Sequence, residues 1–294
     1  MRSLALDFAA SRVALAAAAL LVLLAAASLL APWIAPQNPY DLAQLDLANS
    51  RLPPGAHAAS GATFWLGTDD QGRDMLSAIL YGLRTSVTVG ILTTLFALAI
   101  GLSLGVACAW LGGWFDALVM RLADLQLSFP SILIALVLLA VLGQGLDKII
   151  VALVAVQWAY YARTARAAAL VERRKDYVEA ATALALSHAR IVFRHLVPNS
   201  LPPLVALAAV QVAAAITLEA TLSFLGLGLP ITEPSLGLLI SNGFGYLLSG
   251  HWWISVFPGL ALLALVAAIN LAADRLGSAL DPRLRSQSEM RVLY

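Results

Sequence analysis

A chain of 294 residues that is 61% hydrophobic and only 12% charged lies far from the half-apolar, quarter-charged composition of soluble domains. Its net charge of +1 leaves no electrostatic footprint for nucleic acid. The single cysteine, Cys108, lies in an apolar run and excludes an internal disulfide. What remains is an all-α, polytopic membrane protein with the lipid bilayer as its solvent.

Residues 13–34 form the first apolar run, after Arg2 and Arg12. A basic start and Ala25-Ala26-Ala27 also fit a signal peptide, but about 20 apolar residues suffice to cross the hydrocarbon core, so a retained span is expected. Residues 35–86 are the longest polar interruption, broken by Pro36, Pro39, Pro53, Pro54 and Gly55. Within it, FWLGTDDQGRDMLSAILYGLRTSV (64–87) sets Asp69, Asp70, Arg73, Asp74 and Arg84 among Leu76, Ile79, Leu80 and Leu83. That alternation predicts an amphipathic helix along the membrane surface. A metal or catalytic site is the other reading of such carboxylates, and the neighbouring arginines argue against it.

A second span is expected over 88–111, a short turn over Leu111–Ala123, and a third span over Leu125–Leu142 kinked at Pro130. The fourth, fifth and sixth spans are expected over 149–169, Val205–Leu225 and Trp253–Leu276. LGLGLPITEPSLGLLISNGFGYLLSGHWW, between the last two, is too broken by glycine and proline to span. It is apolar enough to dip into the bilayer from one side, where its backbone must be buried in protein or face water. His251-Trp252-Trp253 reads as an interfacial aromatic belt. The chain thus divides into 1–34, a tail and first span; 35–86, an extracytoplasmic loop; and 87–294, a core with a polar loop at 170–200.

Of the 18 lysines and arginines, only Arg51, Arg73, Arg84 and Lys148 fall outside when the amino terminus is placed in the cytoplasm. This asymmetry sets both termini and the 170–200 loop inside. Glu219 is the one carboxylate deep in an expected span, where an ionised group costs at least about 2.5 kcal/mol. It lines a path or gate, with Ser223 and Phe224 beside it, or it is a hydrogen-bonded pin between two helices. Asn270 and Asp274, close to Arg275, are read as a local ion-pair region. No G-x-x-x-x-G-K-[ST] occurs, no His/Cys set has metal-ligand spacing and no G-x-S-x-G appears. No catalytic residue, metal site or cofactor is expected in this chain.

The most polar long segment is KDYVEAATALALSHARIVFRHLVPNSLPP, 175–203. Asp176 and Glu179 have capping-box spacing. Tyr177, Ala181, Leu184 and His188 recur at helical spacing and predict a packing face. Ser187 is placed to cap a second helix, His188–Leu196, carrying Arg190 and Arg194, with Pro198 ending it. From the residues alone this is an amphipathic polar loop.

Glu179-Ala180-Ala181, followed by Ile191, Pro198 and Asn199, resembles the EAA loop of membrane subunits of ABC-type importers. LGTDDQGRD resembles the LGTDxxGRD signature of dipeptide, oligopeptide and nickel permeases. ITLEATLSFLGLGLP and TEPSLG resemble the end of the fifth span and the segment after it, with Leu236 where tryptophan is common. The likeness runs from about residue 30 to Leu284. It implies a type I ABC importer permease with about six spans, in the bacterial inner membrane. The partners it implies are a second, homologous permease subunit (a heterodimer), two cytoplasmic ATPases that bind ATP and Mg, and an extracytoplasmic binding protein.

By the same likeness, Asp176, Tyr177, Glu179, Ala180, Ala181, Ala185, Ser187, Ile191, Arg194 and Pro198 would belong to the ATPase-docking loop. Asp69, Asp70, Arg73 and Asp74 would face the binding protein. The family usually has glycine where Ala185 stands. A positive φ strains alanine, so a shallower bend is expected. Peptides are the expected cargo, with nickel or glutathione-like molecules as alternatives. The rival classes are an ion-coupled secondary transporter using Glu219 and a structural protein without a path.

Overall fold

A computed structural model describes residues 12–41, 45–58, 61–230 and 232–280. The two terminal tails, with Arg2, Arg283, Arg285 and Arg291 of the charge asymmetry, lie outside the described residues. Helix dominates because a backbone in lipid must close its own hydrogen bonds. α1 (Arg12–Ile34) is followed by a loop holding a two-residue hairpin, β1 (Ala56–His57) and β2 (Thr63–Phe64), paired Ala56↔Phe64 and His57↔Thr63. α2 (Met75–Leu111) has 37 residues, about 55 Å of helix at 1.5 Å per residue. It outreaches the hydrocarbon core at one or both ends.

α3 (Gly113–Ser128) and α4 (Ser131–Leu142) meet at 96°. The stretch expected as a turn at 111–123 is therefore mostly helix, and the expected kinked span at 125–142 is two helices. Pro130 has no N–H to donate and forces Phe129 into extended backbone, φ −96° and ψ 145°. α5 runs Leu146–Arg173, α6 Asp176–Ala183 and α7 His188–Ile191. A π-helical turn, Val192–Leu196, joins α7 to α8 (Val197–Phe224). α9 (Leu236–Phe244) and α10 (Trp253–Leu280) complete the chain. Among the described residues, four helical stretches are long and apolar enough to cross a membrane, or five if α3 and α4 together make one broken span. α5 is long enough to cross but falls outside this set because it carries Gln157, Arg163 and Arg166, so length and composition alone do not reach the expected six.

Lipid tails are as apolar as leucine, so helices in a bilayer associate through close packing. α2 meets α5 along Ala97, Gly101 and Gly105, which face Tyr161, Ala162 and Ala165. A Cβ on Gly101 would lie 2.4 Å from the Tyr161 Cβ, and one on Gly105 2.4 Å from the Ala162 carbonyl oxygen. Elsewhere Met75, Ile79 and Leu83 of α2 pack with Ile216 of α8, Leu236 and Leu239 of α9, and Ile254 and Leu265 of α10. Cys108 is buried in this packing.

The end of the glycine-rich stretch after α8 bonds to neighbouring chain. Thr85 Oγ1 donates to the Pro234 carbonyl at 3.1 Å, and Ser235 Oγ accepts from the Leu238 N–H at 3.1 Å to cap α9. Leu236 is fully buried, with Gly82 of α2 directly beneath it.

Candidate functional site

The segment before α2 is a folded clamp rather than a surface helix. Asp69 Oδ1 accepts from the N–H groups of Gln71 (2.9 Å) and Arg73 (2.8 Å), and the Arg73 Nε lies 3.1 Å from Asp69 Oδ2. Burial pushes the Asp69 carboxyl above its ordinary pKa, against the pull of the Arg73 charge and those amides. Asp74 caps α2, accepting from the Ser77 N–H (2.8 Å) and hydroxyl (2.6 Å). Asp69, Arg73 and Asp74 are all buried, with only Asp70 partly exposed. The charges turn inward, Asp69 and Arg73 onto one another and Asp74 onto the helix end.

The signature's glycines explain themselves here. Gly72 has φ +77°, and a Cβ on it would meet the Asp46 carbonyl oxygen at 2.3 Å; one on Gly67 would meet the Leu52 carbonyl oxygen at 2.6 Å. Thr68 Oγ1 donates to the Asn49 carbonyl, and the Trp253 indole N–H donates to the Thr68 carbonyl at 3.1 Å. Trp253 is thus a buried clamp residue, whereas the expectation placed it in an aromatic belt. Trp252 remains half exposed.

At the other end of α2 lies the 175–199 loop. Lys175, not Asp176, occupies the N-cap of α6, and no side chain caps it. The expected capping box does not form because Asp176 is already inside the first turn. Its carboxylate, with that of Glu179, still favours the positive end of the helix. Val178 and Ala181 are the buried face, packed with Ile191 and Leu196. Tyr177 and Leu184, expected to pack, are 37% and 76% exposed. The helix is rotated so that Val178 takes the inward position.

α6 ends in a Schellman motif, with the Leu186 N–H bonded to the Ala181 carbonyl and the Ala185 N–H to the Thr182 carbonyl. Ala185 sits at φ 54°, so the bend is retained in full and the alanine carries its strain. Ser187 Oγ accepts from the Arg190 N–H, capping α7 as the spacing predicts. Pro198 does not end the helix. The Val197 N–H reaches back to the Val192 carbonyl across the π turn, and this wider turn admits a residue with no N–H of its own. Arg194 and Pro198 are exposed, and Ile191 is buried.

The loop is braced at both ends. Glu172 accepts from Lys175 Nζ and from the Tyr177 hydroxyl, each at 2.6 Å, and the Tyr177 oxygen accepts from Asn199 Nδ2 at 3.1 Å. Burial raises the Glu172 pKa, and the two hydrogen bonds outweigh it, holding the carboxyl below its ordinary range. One chain of side chains therefore ties the end of α5, the start of α6 and the start of α8 together. Arg173 reaches across to the Ala109 carbonyl at 2.7 Å, closing an open end of α2. What this frame leaves exposed is Glu179, Ala180, Leu184, Ala185, Arg190 and Phe193. Glu172 was missed as a site residue; its spacing of three to Lys175 was the available signal.

Glu219 is sealed. Ser86 of α2 donates to one of its oxygens at 3.1 Å and Ser223 to the other at 2.8 Å. It joins α2 to α8 and is fully buried, the geometry of a pin. Ser223 is buried with it, and Phe224 is partly exposed, edge-on to Phe244. A different set of polar residues lines a groove of about 420 Å³: Gln157 and Tyr160 of α5, Gln211, Thr217 and Thr221 of α8, and Asn270 of α10. Asn270 thus belongs to the groove rather than to an ion-pair region. A strongly polar amide within an apolar run was the sequence signal for Gln157 and Gln211.

Residues 97–286 match the family described as binding-protein-dependent transport system inner membrane component. The chain belongs to this family. Residues 2–54 match the N-terminal TM domain of oligopeptide transport permease C, so the first span is a recognised part of the permease. The dipeptide transport system permease protein DppC of Haemophilus influenzae is 37% identical over 258 residues, 88% of this chain and 86% of that protein. The di/tripeptide transport system permease protein DppC of Pseudomonas aeruginosa is 35% identical over 280 residues, 95% of this chain and 91% of that protein. A chain of the methionine ABC transporter MetNI, solved in inward-facing conformations, superposes with a TM-score of 0.55. It is 23% identical and covers 70% of this permease and 98% of its own length. The fold is that of a type I ABC importer permease.

Proposed function

We propose that this chain is one of two different permease subunits in an importer of dipeptides or oligopeptides. Two ATPase subunits on its cytoplasmic side bind ATP and Mg, and an extracytoplasmic binding protein delivers cargo. The permease itself is not catalytic. Both termini then lie in the cytoplasm of a bacterial inner-membrane assembly, consistent with the lysine and arginine asymmetry.

The observation that carries this reading is the braced 175–199 loop. Its buried side is fixed to α5 and α8 through Glu172, Tyr177 and Asn199, and its outer side offers small residues around Glu179. A partner backbone can approach Ala180 and Ala185 closely, and any push on the loop is passed to α5 and α8 as rigid elements. ATP binding and the docked binding protein then favour different arrangements of one bundle. The exposed rim of the clamp, with Trp65 and Asp70, is the surface offered to the binding protein at the opposite end. An ion-coupled carrier role for Glu219 gains no support from a carboxylate sealed between two serines.

Co-expression of the permease with its genomic neighbours, followed by affinity purification and an ATPase assay, tests the reading. The wild-type chain is expected to retain an ATPase. Glu179→Arg is expected to release it or to uncouple hydrolysis from cargo uptake. If no ATPase co-purifies, or the charge reversal changes neither quantity, the loop is not a coupling element.

A further inference from the structure

The groove has an unfinished floor. Gln157 and Gln211, 3% and 8% exposed, face each other from α5 and α8. Gln157 Nε2 donates to the Gln211 main-chain carbonyl at 3.1 Å, which fixes that amide and leaves its Oε1 as the free end. Neither Gln157 Oε1 nor Gln211 Nε2 has a hydrogen-bond partner. One unpaired acceptor and one unpaired donor, both shielded from water, raise the free energy of the empty state, which buried polar groups in folded proteins rarely do. Their chemistry is complementary to a peptide group, which presents one N–H and one C=O.

We infer that Gln157 and Gln211 form a main-chain station for cargo in transit, taking the amide group of a peptide. Gln211 Nε2 donates to a cargo carbonyl and Gln157 Oε1 accepts from a cargo N–H. The Gln157 amide keeps its bond to the Gln211 carbonyl, and both side chains line the groove. Tyr160, Thr217, Thr221 and Asn270 supply further neutral donors and acceptors around it. Among the described residues no aspartate, glutamate, lysine, arginine or histidine lines the groove, so it holds the part that all peptides share and does not read their side-chain charge. A site with neutral hydrogen bonds alone grips weakly, as a path that must release its cargo requires.

This inference rests on the peptide-import reading, and the experiment separates the two. Uptake of trialanine into vesicles by the complete transporter tests the import reading. Thermal unfolding of the permease–ATPase complex, without binding protein, in rising trialanine tests the station. Trialanine is expected to raise the wild-type Tm, with the midpoint moved to about tenfold higher concentration in Gln157→Leu or Gln211→Leu. A depsipeptide of the same shape, with ester oxygen in place of the central N–H, is expected to be about tenfold weaker on wild type. It should match trialanine on Gln157→Leu, where the acceptor is gone; a merely structural glutamine would not remove that difference.

If wild-type vesicles take up trialanine but it gives no Tm shift, or an equal shift in the variants, the station is wrong and the import reading stands. If they take up none, the import reading falls and the station with it. The depsipeptide comparison on wild type needs no substitution, so equal potency there overturns the station even if a variant fails to assemble.

Discussion

Ahead of α2, Asp69, Arg73 and Asp74 are buried, Asp69 and Arg73 paired with each other and Asp74 bonded to Ser77, whereas beside its far end the 175–199 loop leaves Glu179 and Arg190 in the open. Both segments are polar interruptions of an apolar chain that carry charges of both signs. The difference is what surrounds the charges. The clamp has Gly67 and Gly72, which let other strands of the loop close over it, and a helix N-terminus to cap. The 175–199 loop has alanines on helices, which keep a smooth outer face and bury only Val178, Ala181, Ile191 and Leu196. Charge in a polar loop therefore marks a partner surface only where the backbone is already satisfied by helix.

The sharpest way to break this contrast is Gly72→Ala. A Cβ there meets the Asp46 carbonyl oxygen at 2.3 Å, with φ +77° besides. A cost of about 3 kcal/mol is expected, seen as loss of the monodisperse peak in size-exclusion chromatography. An unchanged profile would mean that the clamp is not a rigid unit.

Tyr177→Phe acts at the opposite end and deletes the bonds to Glu172 and Asn199 without touching the exposed strip. About 1–2 kcal/mol of local stability should be lost, read as faster amide exchange over 175–199. Cargo-stimulated ATP hydrolysis should fall while ATPase retention persists. Full stimulation would show that the brace is not needed for transmission.

Ala185→Gly is the smallest effect and runs the other way. Relief of φ 54° is expected to stabilise the loop by about 1 kcal/mol, with slower exchange at the turn. A loss of protection instead would show that the alanine side chain packs in a way that outweighs its strain.

The helical character, the membrane class, the Ser187 cap and the placement of a polar loop between two apolar helices were legible from residue pattern, because backbone hydrogen bonding in lipid leaves few options. Trp253 was legible as a notable residue but not in its role, since it bonds to Thr68, 185 residues away; Asp74 caps α2 through Ser77, only three residues on. The G-x-x-x-G at 101–105 was in plain view, and its packing against α5 is what such spacing permits.

The sequence by itself determined that the chain is mostly helical and built for the membrane and which charges cannot sit in lipid, because these follow from local hydrogen bonding and from transfer into hydrocarbon. Only the tertiary structure decided that Pro130 splits a span at 96° while Pro198 sits inside a continuous helix: a π turn precedes one and not the other. It also decided that Glu219 closes on two serines while Gln157 and Gln211 keep an unpaired donor and acceptor beside the groove. Which polar group in a span is satisfied depends on what the neighbouring helix brings to it, and that is set by packing between distant segments.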